Sequence, residues 1–363
     1  MRKKTGVLTW HYFHNFGSAL QAYALQSTLE KLGCRTTIVN YRSSKYGNYS
    51  ASKDAIRMVL NRTIGAIDGK WRARFQYPFL SFRKKYFHET GILREKNHIE
   101  NCVKKLDLLV CGSDQIWAPN VFDSVYMADF SAPKTRKISY GASIGLNDIH
   151  QELVPKYKQL LEQFHAVSVR EERGKSLLKD KCGIDATVVL DPTLLLSVSE
   201  YQKMEQPVKC VNGPYVFCYF LNGDHVYREQ VQTYAEKNGL QIYGVSANKA
   251  DGKWMSILEK LSPASFLWMI ANAHTVVTDS YHGTIFSLLY HKKFYVFERF
   301  DRQDPVCQNS RIDQLNRWFG IDQCIVPRGS ALMADQQISY EHFEDALCQA
   351  RKISLDYLTE AIR

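Results

Sequence analysis

The fold is decided by TGVLTW at residues 5–10, SALQAYALQSTLEKLG at residues 18–33 and TTIVNY at residues 36–41. The first and third stretches are short and rich in β-forming residues, whereas the second carries leucines at helical spacing. Gly33 closes the second stretch where a helix C-cap belongs. Strand, helix and strand in this order predict a βαβ unit and a parallel sheet.

The same alternation continues along the chain. Further strands are predicted at Leu106–Cys111, Lys137–Tyr140, Ala166–Val169, Thr187–Leu190, Tyr215–Leu221, Gln241–Val245, His274–Thr278 and Phe294–Phe297. Further helices are predicted at Gln151–Phe164, Val226–Asn238, Pro263–Ala273, from Gly283 onward and at Tyr340–Arg363. We therefore predict an α/β protein with two Rossmann-like domains facing a cleft.

Length and local composition divide the chain in two. Its 363 residues exceed what one compact core usually holds, and polar residues with two prolines mark a linker-like stretch at 207–214. We predict an N-terminal domain at 1–205, decorated by a basic aromatic helical segment at 43–96. The predicted C-terminal domain at 206–363 ends in a closing helix at 340–363.

Composition is that of a globular protein, with 45% apolar and 23% charged residues. No apolar run is long enough to span a bilayer, and the apolar stretch at the start breaks at His11, too early for a signal peptide. The nine cysteines include no Cys-x-x-Cys pair, which argues against a disulfide framework or a zinc ribbon. We predict a cytoplasmic protein with reduced thiols.

The net charge of +10 is concentrated in one segment. Between Lys53 and Lys96, eleven basic residues are opposed by only four acidic ones, with aromatic residues interleaved. Such a segment suits an anionic membrane surface, a polyphosphate-bearing acceptor or single-stranded nucleic acid. A solvated helical face over core aromatics explains it equally well. No nucleic-acid-binding motif accompanies the charge, so nucleic acid is not expected as a partner.

Ligands of a parallel sheet bind where strands end and loops lead into helices. Four such loops carry unusual residues: HYFHNFGS at 11–18, CGSDQIW at 111–117, SVRE at 168–171 and TDSYHGT at 278–284. In the first loop, Gly17 and Ser18 would place backbone N–H groups at a helix N-terminus, where an anion or a sugar hydroxyl binds. An ordinary capped turn is the alternative.

The second and third loops offer groups that bind sugars and anions. Asp114 and Gln115 provide an acceptor and an amide, and Trp117 provides a flat face on which a sugar stacks. A helix-capping Asp114 and a core Trp117 are the alternative. Arg170 in the third loop suits bidentate binding of a carboxylate or phosphate, unless it pairs internally with Glu171.

The fourth loop presents hydroxyls, an imidazole and helix N–H groups at one spot, as a phosphate site needs. Capping and packing explain Asp279 and Ser280 more easily than His282 and Gly283, so we favour a functional site. The histidines and cysteines show no ligand set at zinc-like spacing, so no metal is predicted.

Taken together, these loops resemble the polysaccharide pyruvyl transferase family. The matching segments are NFGSALQAYALQ at 15–26, VNYR at 39–42, CGSDQIW at 111–117, ISYGAS at 138–143, SVRE at 168–171, LDPTLL at 190–195, TDSYHGT at 278–284 and NSRI at 309–312. The resemblance runs in order from about residue 5 to residue 320 and rests on no single motif.

The resemblance implies a GT-B-like fold and an enzyme with phosphoenolpyruvate as co-substrate and no cofactor. The pyruvyl group would pass to two hydroxyls of a sugar in a surface polysaccharide or its lipid-linked precursor, giving a cyclic ketal and phosphate. The acceptor, expected mainly on the first half, would contact Asn15, Gln21, Ser113, Gln115 and Trp117. The donor, expected on the second half, would be bound by Arg170, Ser280, Tyr281, Gly283, Asn309 and Arg311.

One residue departs from the family pattern. Some members carry an arginine where Ser280 stands, and that arginine helps to bind the donor's anionic groups. We expect Arg311 to replace it. In the implied reaction His282, with Ser280 and the backbone of Gly283, would assist the departure of phosphate. Asp114 would act as the base on the acceptor side, and Glu171 or Asp279 would orient its partners.

A polyprenyl-diphosphate-linked acceptor would bring the protein to the inner face of the plasma membrane, with the basic segment 43–96 as its peripheral contact. Two alternatives stay open. One is a GT-B glycosyltransferase that uses a nucleotide sugar, although the chain shows no acidic pair placed for a ribose. The other is an inactive polysaccharide-assembly protein, against which the combination of Arg170, Asp279, His282 and Gly283 argues.

Overall fold

The computed structural model describes residues 2–43, 71–221, 227–246, 249–304, 307–327, 330 and 338–363. The chain divides into two compact units. Unit 1 comprises Met1–Leu196 and Gln349–Arg363, and unit 2 comprises Ser197–Cys348. The boundary therefore falls before the linker-like stretch at 207–214, and the end of the closing helix belongs to unit 1 rather than to the second domain.

Unit 1 is built on parallel strands. They are β1 (Lys4–Leu8), β2 (Arg35–Ile38), β3 (Leu108–Cys111), β4 (Arg136–Ser139), β5 (Ser168–Val169) and β6 (Thr187–Val188). The first four form a sheet in the order β2-β1-β3-β4, and β5 pairs with β6. The helices are α1 (Phe16–Lys31), α2 (Trp71–Tyr86), α3 (Lys96–Val103), α4 (Val154–Leu161) and α5 (Glu172–Leu177).

The opening βαβ unit forms as predicted, with β1 and β2 parallel on either side of α1 in sequence. Asn15 caps α1 by accepting the backbone N–H of Ser18 at 3.0 Å. Gly33 follows the helix with φ 88°, a left-handed conformation that glycine adopts without strain. Leu20 and Leu25 are fully buried, so this helix contributes to the core of unit 1.

Unit 2 contains a six-stranded sheet in the order β12-β11-β10-β7-β8-β9, with every pairing parallel. Its strands are β7 (Tyr215–Phe220), β8 (Gln241–Ser246), β9 (Ser256–Ile257), β10 (Thr275–Thr278), β11 (Lys293–Phe297) and β12 (Ile325–Val326). Its helices are α6 (Val198–Gln202), α7 (Arg228–Lys237), α8 (Pro263–Asn272), α9 (Tyr281–Leu289), α10 (Ser310–Phe319) and the first part of α11 (Tyr340–Ile362).

Each sheet has a switch point, where the chain turns from building one side of the sheet to building the other. In unit 1 it lies between β1 and β3, and in unit 2 between β7 and β10. Ligands of such sheets bind outside the carboxyl ends of the strands at this point. Three of the four predicted loops begin there, after β1, β3 and β10.

The end of α11 joins unit 1 through side-chain hydrogen bonds. Arg351 donates to the carbonyls of Leu194 and Leu196 at 2.5 and 2.8 Å. The hydroxyl of Ser354 accepts the backbone N–H of Leu190 at 2.9 Å. These bonds explain why residues 349–363 group with unit 1 although they follow unit 2 in sequence.

Residues 44–70 of the predicted basic aromatic segment lie outside the described residues. In α2, Arg83 is 7% exposed and donates two hydrogen bonds of 2.7 Å to Glu89, so its charge is used internally. Lys84 and Lys85 are exposed. Among the helices that the structure describes, none combines the length and the apolar character needed to cross a bilayer.

Candidate functional site

The loop between β10 and α9 lies at the switch point of the unit 2 sheet. Asp279 is 5% exposed and accepts the backbone N–H of Leu221 at 2.7 Å, which ties this loop to the end of β7. Ser280 is the N-cap of α9 and accepts the backbone N–H of Gly283 at 3.4 Å. The first turn of α9 therefore points its N-terminal end toward the ligand-binding edge of the sheet.

Close packing explains why residue 283 is a glycine. A Cβ atom there would lie 2.4 Å from Oγ1 of Thr278, which is too close for any side chain. The N–H of Gly283 is already bonded to the cap Ser280. The glycine predicted to bind the donor is therefore explained by the close approach of α9 to β10, and its contact with a donor stays a prediction.

Two arginines converge beside this helix start. Arg299 follows β11, and Arg311 lies in the first turn of α10. Nη2 of Arg299 donates to Oε1 of Gln308 at 3.1 Å, and Nη2 of Arg311 donates to the same oxygen at 2.7 Å. Both arginines line a small pocket with Asp279 and Tyr281. The pocket therefore holds two cations at the carboxyl edge of the sheet.

Several of the predicted donor residues meet at this pocket. The guanidinium of Arg311 lies 5.7 Å from the centre of the Tyr281 ring. Asn309 lines the pocket, and its side chain donates to the carbonyl of Phe300 at 2.9 Å, which closes the loop between β11 and α10. His282 is 6% exposed, with its ring 5.2 Å from that of Tyr281, so it lies beside this group.

Burial and a neighbouring negative charge act in opposite directions on the pKa of Arg299 in the pocket. Burial lowers the pKa of Arg299, and the negative charge of Asp279 opposes that shift. Arg311 is 8% exposed. Two guanidiniums next to a helix N-terminus make a site for an anion with several oxygens.

In unit 1 the predicted Arg170 is committed to protein carboxylates. Its guanidinium donates to Asp191 at 2.6 Å and lies 3.5 Å from Asp114 and 3.9 Å from Glu171. The Arg170 side chain is 0% exposed. The internal pairing considered as the alternative is therefore present, and a role as clamp for the donor is not retained because no face of the guanidinium reaches solvent.

Asp114 also has a local structural role. It has φ 68°, and its carboxylate accepts the Ser18 hydroxyl at 2.5 Å and the Gln115 backbone N–H at 2.9 Å. The carboxylate thus links the loop after β3 to the start of α1. Its role as a base stays a prediction.

Three predicted acceptor residues are buried. Trp117 is 0% exposed and donates its indole N–H to the carbonyl of Tyr126 at 3.1 Å, so it is a core residue and not a face for a sugar. Gln21 is 0% exposed and bonds to Thr9, Trp10 and Ser18 through its amide nitrogen.

Ser113 is likewise 0% exposed and donates to the carbonyl of Gly141 at 2.7 Å. These bonds build the switch point of unit 1 but leave the side chains of Gln21 and Ser113 no exposed face for a sugar. Asn15 and Gln115 are partly exposed, and their contact with an acceptor stays a prediction.

Sequence reasoning missed Arg299 and Gln308. Arg299 comes two residues after β11, close to the end of a parallel strand, where ligands bind. In the sequence, however, a single arginine between a glutamate and a phenylalanine looks like an ordinary surface residue. Gln308 stands one residue before the quoted NSRI segment, and only the folded loop brings its amide to both arginines. Across the described residues, no group of histidine, cysteine and acidic side chains is arranged to hold a metal ion.

Two solved structures of UDP-GlcNAc 2-epimerases have a similar fold. UDP-GlcNAc 2-epimerase from Neisseria meningitidis bound to UDP-GlcNAc has a TM-score of 0.52 at 11% identity, covering 98% of this chain and 94% of that chain. UDP-GlcNAc 2-epimerase from Methanocaldococcus jannaschii has a TM-score of 0.51 at 12% identity, covering 98% and 93%. This likeness confirms the predicted GT-B-like α/β class and shows the fold alone. A comparison with curated protein sequences finds no match.

The sequence profile of the polysaccharide pyruvyl transferase family matches residues 15–301. This match covers most of the chain, so the protein belongs to the polysaccharide pyruvyl transferase family. The resemblance found in the sequence is thereby confirmed, and the family indicates a transferase that acts on polysaccharide.

Proposed function

We propose that this protein transfers the pyruvyl group of phosphoenolpyruvate to two hydroxyls of a sugar, forming a cyclic ketal and releasing phosphate. The observation that carries the proposal is the convergence of Arg299 and Arg311 on one oxygen, beside the N-terminus of α9. Phosphoenolpyruvate carries its phosphate and its carboxylate on the same carbon, and two guanidiniums with a helix N-terminus match that charge pattern.

The chemistry needs a proton on the methylene carbon of the donor, which leaves the neighbouring carbon with oxocarbenium character. One sugar hydroxyl attacks that carbon, the bond to the phosphate oxygen breaks, and the second hydroxyl closes the ring. One hydroxyl proton balances the proton gained by the methyl group, and the other leaves with phosphate. Fixed positive charge that is aimed at the phosphate before the reaction begins lowers the barrier.

In this proposal the arginine pair holds the donor anions, with Asp279 keeping Arg299 in place through its charge. His282, in the first turn of α9, is the proton carrier for the departing phosphate. Ser280 fixes the helix start that presents it. Asp114 stays our candidate for a base on the acceptor side.

For the acceptor, we propose a sugar of a surface polysaccharide or of its polyprenyl-diphosphate-linked precursor. Family membership supports the polysaccharide, and the exposed Lys84 and Lys85 support a peripheral contact with the anionic inner leaflet. On this basis we propose a cytoplasmic protein that works at the membrane surface, with no cofactor.

The test is phosphate release from phosphoenolpyruvate, with and without aryl or lipid-linked galactosides and N-acetylhexosamines. We expect release that depends on the acceptor, and a product heavier than the sugar by pyruvic acid less water. UDP-GlcNAc and phosphoenolpyruvate are compared in parallel by calorimetry. Binding of UDP-GlcNAc without binding of phosphoenolpyruvate would overturn the proposal in favour of a nucleotide-sugar enzyme.

A further inference from the structure

The amide of Gln308 lies between the two arginines of the pocket. Its Oε1 accepts from Arg299 at 3.1 Å and from Arg311 at 2.7 Å. An oxygen that accepts from two separate guanidiniums has the coordination of a carboxylate or phosphoryl oxygen, although this oxygen belongs to a neutral amide.

The acidic side chains that line the pocket have partners of their own. Asp279 accepts the backbone N–H of Leu221 at 2.7 Å. Glu298 accepts from Arg302 at 2.5 Å. Asp279 also acts on Arg299 through its charge, and the amide oxygen of Gln308 joins Arg299 and Arg311 directly.

We propose that the Gln308 side chain is a placeholder, whose oxygen keeps the two guanidiniums aligned until an anionic oxygen of the ligand replaces it. Like charges repel, so two guanidiniums need an acceptor between them to stay aligned. The full charge of an anionic oxygen attracts a guanidinium more strongly than the dipole of a neutral amide does, so a phosphate or carboxylate displaces the amide. Gln308 is partly exposed, which gives its side chain room to withdraw.

The identity of the ligand as phosphoenolpyruvate rests on the proposed function, whereas the exchange of a neutral oxygen for an anionic one holds for inorganic phosphate as well. The test therefore uses both ligands with Gln308→Glu and Gln308→Ala, by calorimetry on the full chain. In Gln308→Glu a carboxylate stays between the arginines, and we expect both ligands to bind about tenfold more weakly or worse. In Gln308→Ala the amide oxygen no longer competes with the ligand, which offsets the lost alignment of the guanidiniums, and we expect both ligands to bind with an affinity much closer to that of the wild type than to that of Gln308→Glu.

The matched control is Gln202→Glu, which makes the same change at an exposed glutamine of unit 2 and should leave binding unchanged. Equal weakening in Gln308→Ala and Gln308→Glu would overturn the placeholder, because Gln308 would then contact the ligand. Unchanged binding in Gln308→Glu would also overturn it. If phosphate binds and responds to Gln308→Glu but phosphoenolpyruvate does not bind the wild type, the placeholder stands and the proposed function fails.

Discussion

Arg170 donates to Asp191 across 2.6 Å, and both side chains are 0% exposed. The same guanidinium lies within 4 Å of Asp114 and Glu171, so a single cation joins the chain segments that follow β3, β5 and β6. Removing one partner of a buried ion pair leaves uncompensated charge, which costs more than the pair contributes. This arrangement makes Arg170 a stabilising residue of unit 1.

Replacement of Arg170 tests that role. We expect Arg170→Met to lower the free energy of unfolding by about 3–5 kcal/mol, measured by denaturant titration. Arg170→Lys keeps the charge, and we expect it to lower Tm while the KM for phosphoenolpyruvate stays at the wild-type value. A normal Tm with a raised KM would instead restore the predicted clamp on the donor.

Replacing either arginine of the unit 2 pocket should weaken binding of the donor, unlike replacement of Arg170, which should lower stability. We expect Arg299→Ala and Arg311→Ala each to weaken phosphoenolpyruvate binding by about ten- to a hundredfold, because each removes a charge-assisted hydrogen bond of about 1.5–3 kcal/mol. Calorimetry measures the affinity. The control is Arg317→Ala, an exposed arginine on the same helix as Arg311, which should leave the affinity unchanged. Wild-type affinity in both pocket variants would exclude the pair from the donor site.

Gly283→Ala tests the contact between α9 and β10. The added Cβ would lie 2.4 Å from Oγ1 of Thr278, so we expect a loss of about 1–3 kcal/mol in unfolding free energy. Thr278→Ala removes the obstructing hydroxyl, and the double variant should lose less than the sum of the two single losses. If the double variant loses the full sum of the two single losses, the contact between residues 283 and 278 is not the cause of the destabilisation.

Stability should fall in mild acid because of His11. This residue is 0% exposed and donates from Nδ1 to the Thr9 carbonyl at 3.0 Å. Burial, with a further contribution from the charge of Arg83, lowers the pKa of His11 to about 4. The unfolded chain takes up the proton near pH 6.5, so between about pH 6.5 and 4 the unfolded state binds more protons and stability drops, by up to about 3 kcal/mol for this group.

The variant His11→Asn keeps a donor for the Thr9 carbonyl and cannot titrate. We expect its unfolding free energy to change less between pH 6.5 and 4 than that of the wild type, measured with guanidinium at several pH values. His98→Asn, at an exposed histidine of the same unit, should follow the wild-type curve. Parallel curves for His11→Asn and the wild type would assign the pH dependence to other groups.

Membrane binding should depend on lysines and not on Arg83. We expect Lys84→Gln combined with Lys85→Gln to weaken binding to phosphatidylglycerol vesicles about thirtyfold, at about 1 kcal/mol per lysine near an anionic surface. Arg83→Gln should instead destabilise the fold, because Glu89 loses its partner. Co-sedimentation with the vesicles separates the two effects. If the double lysine variant binds as tightly as the wild type, α2 does not contact the membrane.

Periodicity predicted the sheets well because each strand is a short apolar run between helices of clear spacing. The predicted strand at Phe294–Phe297 appears as Lys293–Phe297, and the predicted helix at Pro263–Ala273 appears as Pro263–Asn272. The two-residue strands β9 and β12 were missed, whereas the equally short β5 and β6 were predicted because longer β-rich runs at 166–169 and 187–190 include them.

The site was predicted less evenly. The loop at 278–284 was selected because its polar residues interrupt a buried strand and a buried helix, and its role in ligand binding stays a prediction. Trp117 and Arg170 were misjudged because their position after a strand does not reveal which side chains cover them, and here the core of unit 1 encloses both. Arg299 and Gln308 meet only through the fold of the loop between β11 and α10, a contact that no spacing in the sequence encodes.

The two-segment construction of unit 1 has a consequence for synthesis on the ribosome. Unit 2 is a single stretch and can fold once it has emerged, whereas unit 1 waits for the bonds that Arg351 and Ser354 make to it. At about 5–20 residues per second, residues 197–348 take roughly 8 to 30 seconds to translate. During that interval we expect the nascent residues 1–196 to remain partly assembled, because the surface that residues 349–363 cover is still exposed, and we expect a chaperone to bind this segment.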